Sequence, residues 1–225
     1  MSVSIVVPFR SGCPQRERIW SFLRGRWIAR FPDWQLITAE DDLGPWRKGL
    51  AVRRGIELST GDIIAIVDAD VWCDAVEQGV ELACGGAPWV MPFTRVVRLT
   101  ESATNQVLLG GDVAAIAGRR RSRAEPAYVQ SAAGGMVILQ RSIAFTVPID
   151  ERFTGWGQED EAWRLALETL AGPRARVDAS LLHLWHPPQE RLTRSIGSRE
   201  GAELRRRYSL ARGNPDLMRD LVDGR

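Results

Sequence analysis

Residues 60–70 read Thr60-Gly61-Asp62-Ile63-Ile64-Ala65-Ile66-Val67-Asp68-Ala69-Asp70. Five consecutive aliphatic side chains leave no solvent face, so the spacing predicts a strand over 63–67 that is buried on both sides. Turn chemistry bounds it, and the acidic turn that ends it places Asp68 and Asp70 at the carboxyl end of a central strand. Open α/β sheets bind their ligands at that end. The same two acids also suit a simpler purpose, capping the amides of a following helix.

Working outward, the first half alternates between the two periods of a doubly covered sheet. Residues 3–7 form a β-branched strand closed by Pro8, and Pro14 suits the first turn of a helix with Ile19, Leu23 and Trp27 on one face. Residues 35–39 predict a second strand. Residues 47–58 predict a helix with Ala51, Gly55 and Leu58 on one side, and Val76, Val80 and Ala83 mark a third helix leading to a strand at 89–93. Residues 101–127 show no period and predict a long loop with short elements. Gly134-Gly135 then precede an apolar strand at 136–139. Residues 159–170 predict a helix with Trp163, Ala166, Leu167 and Leu170 on one face. A strand at 180–184 carries His183, and 200–210 predicts a last, basic helix.

Two further constellations flank this frame. Gly155-Trp156-Gly157-Gln158-Glu159-Asp160-Glu161 opens a helix with three acids, which suits the positive helix end. Trp156 between glycines is hard to place in a core and suggests a hinged flap. His183-Leu184-Trp185-His186 puts two imidazoles three residues apart. With Asp68 and Asp70, these describe a divalent metal site with a general base beside it. Simpler readings stand alongside: first-turn acids that only stabilise the helix, a core or edge His183, and Trp20, Trp27, Trp34, Trp89 and Trp163 as packing.

In order, these motifs resemble the GT-A fold nucleotide-sugar glycosyltransferases. Ile5-Val6-Val7-Pro8-Phe9-Arg10 and the 60–70 stretch are similar to their nucleotide-binding half. Gly134-Gly135 followed by the Trp156 stretch resembles, more narrowly, the β-1,4-galactosyltransferase and N-acetylgalactosaminyltransferase group, whose pattern is Gly-Gly and then Gly-Trp-Gly-Gly-Glu-Asp-Asp. The resemblance covers most of residues 3–187. It implies a single GT-A (Rossmann-like) α/β domain over 1–225 with a mostly parallel central sheet flanked by helices. Residues 1–95 would be the nucleotide-sugar half, 96–190 the acceptor and catalytic half, and 191–225 a basic helical tail.

By the same resemblance, Asp70, His186 and His183 would bind Mn²⁺ or Mg²⁺, with two imidazoles favouring manganese. Asp68 would lie near the donor ribose, Asp160 would be the general base of an inverting displacement, and Glu159 would orient the acceptor. Pro8, Arg10, Trp46, Lys48, Gly135 and Trp156 would contact the UDP-sugar, Trp156 from the closing flap. Ala132 stands where the family carries an aromatic residue that limits bulk at the sugar's second carbon, so a larger N-acetylated sugar would fit. A retaining transferase of the same fold is the enzymatic alternative.

Composition narrows the rest. Net charge is +2, which argues against general polyanion affinity, and Lys48 is the only lysine among 30 basic residues. Cys13, Cys73 and Cys84 are too few for a disulfide framework and fit free thiols in a reducing cytoplasm. No signal-peptide pattern or membrane-spanning run is expected. The acceptor is open: a glycan, a protein side chain or a modified DNA base. Arg119-Arg120-Arg121-Ser122-Arg123 and Arg205 to Arg207 support a rival, a nucleic-acid-binding protein on a degenerate transferase scaffold, and suit equally a solvated loop and a solvated helix face.

Overall fold

A computed structural model describes residues 1–41, 44–111, 133–188 and 197–224, and the backbone of 123–124. The first half runs β1 (Val3–Pro8), α1 (Pro14–Arg30), β2 (Gln35–Ala39), α2 (Lys48–Leu58), β3 (Ile63–Val67), β4 (Val71–Cys73) and α3 (Val76–Cys84). There follow β5 (Trp89–Met91), β6 (Arg95–Arg98), α4 (Glu101–Leu108), β7 (Arg123–Ala124), β8 (Met136–Gln140) and α5 (Arg141–Thr146). The chain continues with α6 (Glu159–Leu170), β9 (Arg174–Arg176), β10 (Ser180–His183), α7 (Arg199–Leu210) and α8 (Pro215–Val222).

Six strands form the main sheet in the order β2-β1-β3-β8-β5-β9. β1 pairs in parallel with both β2 and β3, as the alternating pattern predicts. The sheet as a whole is mixed, because β8 runs antiparallel between β3 and β5. The chain reaches β8 at the carboxyl end of β3, where the Asp68 amide donates to the Gly135 carbonyl (2.8 Å), so β8 can only run back. A second sheet, β4-β10-β6-β7, starts immediately after the acidic turn. All five residues of β3 are buried, which is the burial its aliphatic run requires.

Side-chain volume fixes how the layers meet. Trp27 of α1 and Trp72 of β4, both fully buried, pack with ring centroids 4.5 Å apart. Cys73 is a free thiol pushed up to about 11 by burial, an inert core group. Three helices, α4, α5 and α8, lie where no helix was expected; α5 has no side-chain cap, while α4 and α8 carry start signals that a hydrophobic period does not show. Thr100 Oγ1 accepts from the Ala103 amide (3.1 Å) and caps α4 inside the predicted 101–127 loop. Asn214 Oδ1 accepts from the Leu217 amide (3.2 Å), with Pro215 opening α8. Ala132, Arg119, Arg120, Arg121 and Ser122 lie outside the described residues. Among the described residues, no helix is long and apolar enough to cross a membrane.

α2 approaches the chain after α5 so closely that a Cβ on Gly49 would lie 2.8 Å from the carbonyl oxygens of both Ile149 and Asp150. That contact sets the position of the next residue back, Lys48. Gly49→Ala is therefore expected to destabilise the fold by about 2 kcal/mol, a fall of about 6 °C in Tm by differential scanning calorimetry.

Candidate active site

The acidic turn divides its two aspartates between the two sheets. Asp68 is tied to β8, since its Oδ2 accepts from the Gly135 amide (3.1 Å). Asp70 leads into β4, which pairs antiparallel with β10 so that Val71 faces His183. The Leu184 amide donates to the Asp70 carbonyl (2.9 Å), which brings His183 and His186 to the Asp70 side chain. His186 Nε2 lies 3.1 Å from Asp70 Oδ2 and His183 Nε2 lies 3.8 Å from Oδ1. One potential ligand atom from each residue falls within 4.8 Å of the others.

The donor set suits a divalent transition ion: one buried carboxylate and two imidazoles. His186 Nδ1 donates to the Pro187 carbonyl (2.8 Å), so the nitrogen turned towards Asp70 is Nε2, which donates to Oδ2 while the ring is protonated and offers its lone pair once that proton leaves. Such a second bond on a ligating histidine fixes its tautomer and ring orientation. Burial works to raise Asp70, but the charges of His183, His186 and Arg16 and the His186 hydrogen bond hold it well below the usual carboxylate range. Burial pushes His183 down, towards the neutral form that binds metal. Burial opposes the charged form of His186 too, yet the hydrogen bond and charge of Asp70 hold it above its ordinary value.

A second cluster is built on Lys48. Its Nζ lies 2.8 Å from Asp68 Oδ1 and 2.9 Å from Asp160 Oδ1, with the lysine side chain only 10% exposed. The space beside it, lined by Ile66, Val137, Ile149 and Trp163, has no room for water. Sequence placed Lys48 against the nucleotide; this bridge between Asp68 and the α6 acids had no sequence signal beyond Lys48 being the only lysine. Burial raises the Asp160 carboxyl, with the Asp68 charge adding and the Lys48 ammonium opposing. Burial, with the charge of Asp160, pushes Glu159 up to about 8, and its Oε2 is buried without a hydrogen-bond partner.

The other expected contacts fall in a separate group. Pro8 ends β1 beside Ala39. Arg10 pairs with the buried Asp41 carboxylate, donates to the Gly44 carbonyl (2.6 Å) and lies over the Trp46 ring at 5.4 Å. Asp41, which carried no expectation, also accepts from the Arg47 amide (2.8 Å) and so shapes the entry to α2. The Trp46 carbonyl accepts from the Gly155 amide (2.7 Å), joining this loop to the Trp156 stretch. Trp156 is 38% exposed. A shallow cavity of about 470 Å³ lined by Glu17, Arg18, Ser21, Phe22 and Leu108 includes none of these residues.

No family model matches the chain, and no curated protein matches it at a significant level. Solved structures do. A Drosophila β-1,4-galactosyltransferase 7 variant, determined with manganese, UDP-Gal and xylobiose, superposes with a TM-score of 0.53 at 13% identity over 78% of this chain and 64% of its own. GalNAc-T7 with UDP, GalNAc and Mn²⁺ gives 0.55 at 12% identity over 99% and 54%. S. aureus TarS 1–349 gives 0.52 at 8% identity over 82% and 60%. The chain thus spans under two thirds of the length of each of these structures. The GT-A fold is what they share with it.

The folded chain holds a proton on Glu159 that the unfolded chain, titrating near the ordinary 4.5, releases. Glu159 therefore costs stability progressively as pH rises from 4.5 towards about 8. Glu159→Gln is expected to raise Tm above the wild type at pH about 8 and beyond, with the gap closing towards pH about 5. Thermal unfolding across pH in metal-free buffer checks this; a gap independent of pH would contradict it.

Proposed function

We propose that, on the GT-A fold, this chain is a metal-dependent glycosyltransferase that moves a sugar from a UDP-sugar to an acceptor hydroxyl with inversion. The observation that carries the reading is the acidic turn after β3: it supplies Asp70 to the histidine pair and Asp68 to the Lys48–Asp160 cluster, so a metal-ligand set and a partly buried carboxylate base open from one strand end. Similar structures determined with manganese and UDP-Gal, or with UDP, GalNAc and Mn²⁺, support the donor class.

Asp70, His183 and His186 would hold Mn²⁺ or Mg²⁺. When bound, the cation neutralises the charge that develops on the departing diphosphate. Asp160 takes the acceptor hydroxyl proton, and the burial that raises its pKa makes it a stronger base than a surface aspartate. Lys48 fixes Asp160 in place and ties it to Asp68, the residue assigned to the donor ribose. Glu159, protonated near neutrality, presents a hydrogen-bond donor that orients the acceptor. Trp46, stacked beneath Arg10, offers the nucleobase an aromatic face, and Trp156 covers the donor.

Thermal shift and UDP release across a panel of UDP-sugars, with and without Mn²⁺, tests the reading without knowledge of the acceptor. One UDP-sugar should stabilise the protein and be slowly hydrolysed, only with metal, and Asp70→Ala should abolish both. Asp160→Asn should retain donor binding while lowering turnover by about 10²–10⁴-fold. No response to any nucleotide sugar, together with steeply salt-dependent binding to nucleic acid that Asp70→Ala leaves intact, would favour the nucleic-acid-binding alternative. Retention at the anomeric carbon would overturn the assignment of Asp160 as base.

A further inference from the structure

Arg16, in the first turn of α1, has no part in the assignments above, yet it stands at the metal-ligand set. Its Nε lies 3.5 Å from Asp70 Oδ2, the oxygen that His186 Nε2 approaches at 3.1 Å. The side chain is 21% exposed, its guanidinium lies over the Phe9 ring at 5.9 Å, and the buried Nε has no hydrogen-bond partner. The guanidinium thus balances the Asp70 charge while leaving that donor uncommitted.

A guanidinium does not lose its proton. A divalent cation held by Asp70, His183 and His186 would therefore sit beside a fixed positive charge, in a site whose carboxylate is only 7% exposed and poorly screened. Two neighbouring cations repel, and the one carboxylate they would share, Asp70, carries too little charge to neutralise both, so a further anion touching both lowers the cost. The nucleoside diphosphate of the proposed donor is such an anion, and guanidinium forks match phosphate oxygens well.

We propose that Arg16 is an exchangeable counter-ion. It neutralises Asp70 before metal arrives, opposes metal binding alone, and turns to the diphosphate once metal and nucleotide are both present, so that the two ligands bind as a coupled pair. The inference rests on the transferase reading and adds the residue that couples its two ligands. Coupling of this kind is reciprocal between ligands.

The test uses Arg16→Met, which keeps an apolar stem over Phe9, Arg16→Gln as a second neutral variant, and Arg16→Lys to restore charge. Mn²⁺ affinity is read by electron paramagnetic resonance titration without nucleotide, and UDP affinity by calorimetry at saturating Mn²⁺. The neutral variants should bind Mn²⁺ alone about fivefold more tightly and UDP with Mn²⁺ about tenfold more weakly, with Arg16→Lys moving both back towards wild type. Opposite signs are the signature, because a purely structural role would weaken both affinities together. Unchanged affinities, or changes of the same sign, in folded neutral variants of a wild type that does bind Mn²⁺ and UDP would overturn the role of Arg16 alone. A wild type that binds neither would overturn the transferase reading and this inference with it.

Discussion

One ammonium buried between two carboxylates governs the geometry of the site. Lys48 arrives on α2, Asp68 on the turn after β3 and Asp160 on the first turn of α6, so the bridge joins three elements far apart in sequence. Its net contribution to stability is small, since desolvating three charges offsets most of their attraction. Removing the ammonium is another matter: two partly buried carboxylates, 22% and 17% exposed, would be left facing each other without their shared cation, and solvent at their exposed edges keeps the cost below that of a fully buried broken pair. The choice of lysine fits this place. A compact point charge on a flexible stem can serve two carboxylates from inside a narrow gap, whereas a planar guanidinium demands a wider fork. The chain uses arginine at every other basic position.

The acidic turn does its work by being shared between sheets. β3 is buried along its whole length and cannot carry polar groups itself, so its charged residues come where it ends. Asp68 stays with the main sheet through the Gly135 amide, and Asp70 passes to the second sheet through the Leu184 amide. Because backbone hydrogen bonds fix both positions, neither aspartate depends on a bound ion to hold it near its partners. The histidines follow from the same pairing: β10 lies against β4, and its last residue, His183, faces the residue after Asp70.

The parts of this arrangement that could be read from sequence are those with a local cause. The β3 run, the α1 face at Ile19, Leu23 and Trp27, and the helix from Glu159 all show their period or their punctuation directly. Residue types suggested that Asp70, His183 and His186 belong together, and the resemblance gave them their roles, but the strand pairing that joins them had no local signal, because β4 and β10 are three and four residues long and too short to show alternation. The antiparallel course of β8 had no local signal either; its direction follows from where the chain re-enters the sheet. Helices α4 and α8 were legible in principle, through Thr100 and Asn214-Pro215, but a search for apolar faces passes over elements of only eight residues. The Lys48 bridge belongs to neither group. It is a long-range pairing of charges, and nothing in a linear pattern distinguishes it from a surface lysine.

The first turn of α6 shows why the simpler reading of its acids is incomplete. Three acids at a helix N-terminus would ordinarily be stabilised as anions by the helix dipole, and their pKa values would fall. Glu159 and Asp160 move the other way, because partial burial and the neighbouring carboxylates outweigh the dipole. The residue before them is unusual in the same sense: Gln158 is the only non-glycine residue at positive φ among the described residues (79°), directly after Gly157 at 93°. Such a conformation costs of order 1 kcal/mol or more for a side chain with a Cβ. A helix selected only for stability would begin with an extended capping residue, as α4, α7 and α8 do at Thr100, Ser198 and Asn214. Here the chain instead enters α6 through a strained left-handed turn that turns Glu159 and Asp160 inward and leaves Trp156 at the surface, so the strain and the raised carboxyls are two consequences of one backbone path.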